Sequence, residues 1–110
     1  MAKANKTIVA DICFYGNHSI GHGFIAQLAD GRMIGDGVPV KERSATEALW
    51  LACEEIRKSG IGAGKVRCFM PGGQRMAVTS LSHPGYYGEL KWEPAIQYAV
   101  SVEQLQAAAQ

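Results

Sequence analysis

The chain predicts an α+β fold, a mixed sheet with one helix packed on a face, and three observations predict it. A nearly unbroken apolar, β-branched and aromatic run, Thr7-Ile8-Val9-Ala10-Asp11-Ile12-Cys13-Phe14-Tyr15, reads as a central strand covered on both sides. Two strand-like runs follow across turn signals, over 22–29 and 33–40, and complete a three-stranded antiparallel meander. A helix-spaced segment over 44–59 then leads to a fourth strand, giving the order β-β-β-α-β.

Each element has its own signal. In the second strand Phe24, Ala26 and Leu28 alternate on one face, and Asp30-Gly31 is a two-residue hairpin signal because both positions favour positive φ. Asp36-Gly37 marks a turn or bulge within the third. Ser44 with Glu47 three residues on forms the S-x-x-E of a capping box. Ala48, Leu49, Ala52, Cys53 and Ile56 follow at the spacing of a buried helix face, and Gly60 ends the helix. Trp50 and Leu51 widen that face, which marks them as candidate oligomer contacts. The fourth strand covers Lys65 to Met70; its crossover is expected to be right-handed if it lies parallel to the first. The tail is read as irregular, with one or two further strands (Arg75 to Leu81, Ile96 to Val100) and a short C-terminal helix from Ser101.

Composition narrows the function classes. The 110 residues are expected to form a single domain, 1–110. Eleven Lys and Arg against ten Asp and Glu remove the electrostatic case for a strong nucleic-acid or anionic-membrane binder. No secretory signal and no membrane-spanning run is read. Cys13, Cys53 and Cys68 form an odd set without metal-ligand spacing and read as reduced core residues of a cytoplasmic protein. The glycine segments Gly21-His22-Gly23 and Gly60-Ile61-Gly62-Ala63-Gly64 lack the Lys-Ser/Thr pair of a phosphate loop and read as turns. His18 and His22 stand four apart outside a helix, a spacing that does not bring two ligands together.

Ala10-Asp11-Ile12-Cys13-Phe14-Tyr15-Gly16-Asn17, Gly21-His22-Gly23-Phe24-Ile25-Ala26 and Glu47-Ala48-Leu49-Trp50-Leu51-Ala52 together resemble the first two-thirds of the ribonuclease H fold, over about residues 6 to 70. That resemblance implies Asp11 and Glu47 as two catalytic carboxylates of a Mg²⁺-dependent phosphodiesterase. It also implies a third carboxylate at the end of the fourth strand, where this chain has Phe69-Met70-Pro71-Gly72. No acid occurs from Arg57 to Tyr87, so a late acid, Glu89 or Glu93, would have to substitute, with His83 as proton carrier. Ser44-Ala45-Thr46-Glu47-Ala48-Leu49 is also similar to the helix start of HicB-type antitoxins, which use a partial ribonuclease H fold. This second resemblance implies an oligomeric binding protein that blocks a toxin; the C-terminal part shows no helix-turn-helix or ribbon pattern.

Both carboxylates have structural alternatives. Glu47 is explained by the capping box. Asp11, a carboxylate in a central strand, needs a partner, either backbone amides at a bend or Arg67 or Lys65 on the neighbouring strand. The tail concentrates aromatics: His83, Tyr86, Tyr87, Trp92 and Tyr98 form a candidate binding surface, with Arg75 and Lys91 as phosphate contacts should it stack on bases. The alternative is that this loop folds back over one sheet face. The residues together favour a non-catalytic binding or scaffolding module, homo-oligomeric, without cofactor, with a protein partner ahead of nucleic acid and no membrane. A metal-dependent phosphodiesterase and an antitoxin-like inhibitor or small-ligand binder are the alternatives.

Overall fold

The computed structural model describes residues 7–95, and these form one mixed sheet with a single α-helix on one face. Strand β1 spans Ile8–Asn17, β2 Gly21–Leu28, β3 Met33–Ile34, β4 Lys65–Phe69, β5 Arg75–Ser80 and β6 Glu93–Pro94, with helix α1 over Ala45–Lys58. The sheet order is β3-β2-β1-β4-β5-β6. β1 is central, antiparallel to β2 and parallel to β4, so the helix carries the chain back across the sheet as the β-β-β-α-β reading requires. The expected strand over 96–100 and the helix from Ser101 lie outside the described residues.

The central strand is covered on both sides because its two residue sets are apolar apart from Asp11. Ala10, Ile12 and Phe14 face the helix and join Phe24, Ala26 and Leu28 of β2, Val66 and Cys68 of β4, and Ala48, Leu49, Ala52, Cys53 and Ile56 of α1. Cys13 and Tyr15 point the other way and pack with Ile25, while Phe69, Met76 and Ala95 form a second apolar group on that same side. The helix begins as read. Ser44 Oγ accepts from the Glu47 amide at 3.0 Å, and Glu47 Oε1 accepts from the Ser44 amide at 2.8 Å.

The third strand corrects the sequence reading. Met33–Ile34 is all of it, and the rest of 33–40 is irregular, because Gly35 and Gly37 take positive φ of 90° and 74°, which breaks the ladder. The chain instead runs along β2 as a closely apposed segment: Gly37 N–H donates to Phe24 O at 3.0 Å and Val40 N–H to His22 O at 3.2 Å. Glycine makes this approach possible. A β-carbon on Gly21 would run into Val40 O, and one on Gly23 into Val38 O.

The tail between β5 and β6 folds over the helix side of the sheet. Tyr87, Leu90 and Trp92 pack against the main core, and the Tyr87 amide donates to Thr46 Oγ1 at 3.0 Å.

Two outcomes follow. Gly23→Ala is expected to cost about 2 kcal/mol in chemical denaturation, because the Val38 backbone has to move to admit the methyl group. Ser44→Ala is expected to cost about 1 kcal/mol by the same measurement. The Ser44 amide that donates to Glu47 holds its carboxyl below the ordinary carboxylate value. The capping contribution is therefore complete at neutral pH and is lost as pH falls through that lowered value, and Glu47→Gln flattens this acid limb of the stability curve.

Candidate functional site

β1 sends Asp11 to the side of the sheet opposite the helix, because its neighbours Ala10 and Ile12 are the residues packed under α1. Asp11 stands in register with Arg67 of β4 on one side and Gln27 of β2 on the other. The carboxylate and guanidinium meet in a fork: Arg67 Nε donates to Oδ1 at 2.6 Å and Nη2 to Oδ2 at 2.8 Å. Their side chains keep only 19% and 21% of their exposure, so the pair is largely desolvated and its two-point geometry is what compensates. Of the partners open to Asp11 at the level of sequence, Arg67 is the one observed.

Glu47 lies on the other side of the sheet, in the first turn of α1, engaged with the Ser44 backbone. The sheet thus separates the two carboxylates that the ribonuclease H resemblance would bring to one metal. Glu89 and Glu93 are exposed, and among the described residues no three His, Cys, Asp or Glu side chains come together in a way that could hold an ion. Asp11 and Glu47 do not fit a shared Mg²⁺. Neither His18, exposed in its turn, nor His22, whose Nδ1 lies 3.1 Å from Arg43 O, joins them.

A cleft of about 330 Å³ opens over the Gln27–Asp11–Arg67 row, with Ile8, Ala29 and Gly31 among its walls. It presents a charge-balanced, hydrogen-bonding floor and no nucleophile. Sequence reasoning anticipated Arg67 but missed Gln27 and the cleft. The signal was the polar side chain breaking the Gly23, Ile25, Gln27 alternation two residues past a buried Ile25.

The aromatic tail divides into an inner and an outer part. Tyr87 is held edge-on to Phe14 at 5.1 Å between ring centres and lies 4.8 Å from Trp92, whose Nε1 donates to Tyr87 O at 2.8 Å. Burial pushes the Tyr87 phenol upward, with the Cys68 and Cys13 thiols adding to the effect. Tyr87 and Trp92 thus turn inward and pack, half-buried, against the core. Tyr86 points outward and is 57% exposed, edge-on to Trp50 at 5.2 Å; Trp50 keeps 40% of its surface. Trp50 Nε1 donates to Gly85 O at 3.0 Å, and the Gly85 amide donates to Thr79 Oγ1 at 3.1 Å, which ties the pair to β5. His83 is exposed on the same loop, and Tyr98 lies outside the described residues. Leu51 is half-buried against the core, so of the two expected oligomer contacts Trp50 is the one that offers an open ring.

No family model matches the chain, and neither a curated protein nor a solved structure is similar to it.

A double-mutant cycle measures the clasp. Asp11→Ala and Arg67→Ala are each expected to cost about 2 kcal/mol, because each strands a largely desolvated charge. The double variant is expected to cost at least about 1 kcal/mol less than the sum, read by denaturant titration.

Proposed function

We propose that this protein is a non-catalytic binding or scaffolding module that works as a homo-oligomer, on a degenerate ribonuclease H-like sheet. The observation that carries the reading is the exposed Trp50–Tyr86 pair. It presents two large rings already fixed by an indole hydrogen bond and an edge-on contact, so little side-chain freedom is left to lose on association. The sheet order β3-β2-β1-β4 with β4 parallel to β1 supports the ribonuclease H outline, and β5, antiparallel to β4, departs from a simple continuation. The non-catalytic reading is supported by the two carboxylates, one consumed by Arg67 and the other by the helix cap on opposite sides of the sheet. Three buried free cysteines fit a reducing compartment, hence a cytoplasmic setting, and no helix among the described residues is long and apolar enough to cross a membrane.

Light scattering on the full chain is expected to give a dimer or larger assembly that Trp50→Ala with Tyr86→Ala converts to monomer, with the fold retained by circular dichroism. A monomeric mass at every concentration, with no protein retained in a pull-down, overturns the reading. So does Mg²⁺-dependent cleavage of an RNA–DNA hybrid that disappears in Asp11→Asn.

A further inference from the structure

The described helix covers one face of the sheet; the other face carries a continuous apolar row. Cys13 is the register partner of both Ile25 and Phe69, and Phe69 is the partner of Met76, so the four side chains line up across β2, β1, β4 and β5. Cys13 and Phe69, in the middle of the row, are fully shielded from solvent. The described elements account for its two ends. The turn at Gly37 lies against Ile25 and Tyr15, and Ala95 packs with Phe69 and Met76. No described helix lies on this side, and a phenylalanine in the middle of a sheet face loses all exposure only when other atoms stand over it.

We propose that the occupant of this face is the chain's own C-terminal segment, residues 96–110. Continuity is the first argument. Ala95 is already seated at the Phe69–Met76 end of the row, held by its amide on Gln74 O at 2.9 Å, so residue 96 starts there. Reach is the second: neighbouring strands lie about 4.8 Å apart, so the row spans roughly 15 Å, which an extended chain crosses in about five residues. Chemistry is the third. The segment offers Ile96, Tyr98, Val100, Val102 and Leu105, and Glu103 is its only charged side chain, so laying it on an apolar row desolvates almost no charge. This face is distinct from the Trp50–Tyr86 surface, and the inference stands whether or not that surface binds a partner.

The cysteines provide the test. Cys13 lies on the proposed docking face, whereas Cys53, on the inner side of α1, and Cys68, on β4 beneath it, belong to the core on the opposite face and act as internal references. The full-length protein is treated with iodoacetamide in native buffer, and labelling at each thiol is followed by mass spectrometry. In the unmodified chain Cys13 is expected to label slowly at every protein concentration. In Tyr98→Asp and Val100→Asp it is expected to label at least about tenfold faster while Cys53 and Cys68 keep their rates, the mark of local opening. A variant that unfolds exposes all three thiols alike, so the milder Tyr98→Ser is scored by the ratio of Cys13 to Cys53 labelling, and a rise in that ratio supports the proposal. Rapid Cys13 labelling in the unmodified chain overturns it, as does an unchanged ratio in Tyr98→Ser. A Cys13 rate that slows as protein concentration rises also overturns it, by assigning the cover to a second copy.

Discussion

The parallel pairing of β1 with β4 is the constraint on which the rest of the molecule depends. Parallel neighbours cannot be joined by a tight turn, so α1 has to cross between them, and its apolar stripe then has one place to go. The meander on one flank of β1 and the β4–β5 hairpin on the other hang from this pair. Asp11 and Arg67 clasp it at a register position where a one-residue slip of β4 would turn the Arg67 guanidinium into the core under the helix and leave Asp11 without its partner. A forked ion pair in the middle of a sheet adds little net stability over well-packed apolar residues, but it makes the wrong register costly.

That clasp also changes the meaning of the carboxylate that first attracts notice in the sequence. Asp11 interrupts an apolar run, and an interruption of that kind reads equally as a site or as a paired charge. The outcome depended on a residue 56 positions away in sequence, which only the strand register could bring alongside. The helix cap, by contrast, is complete within four consecutive residues, and there the local reading and the structure coincide to the hydrogen bond.

The same distinction explains which parts of the fold were legible. The helix, the central strand, the first hairpin, the fourth strand and the fifth follow from periodicity and turn chemistry, and each is found within a residue or two of its expected bounds. The third strand was overextended because Val38 and Val40 look like strand residues, whereas Gly35 and Gly37 decide the backbone. Of the aromatic tail, a list of residues could not say which rings turn inward. Tyr87 and Trp92 are committed to the core by Phe14 and by each other, and Tyr86 is left outside by its contact with Trp50. Gln27 escaped notice because its significance lies in standing opposite Asp11, a fact of pairing and not of sequence.

The close run of residues 37–40 along β2 has a further consequence for how copies of this molecule can meet. A sheet grows by adding strands at its borders, and among the described residues both borders are unsuited to it. On one side the β2 border is occupied by the chain itself at a separation only glycine allows, beyond a β3 of two residues; on the other, β6 is two residues long and one of them is proline. Main-chain hydrogen bonding between molecules is thereby discouraged, and with it the indiscriminate strand-to-strand stacking to which a chain this rich in apolar residues would otherwise be prone. Any association is left to side chains, whose shapes can tell one partner from another.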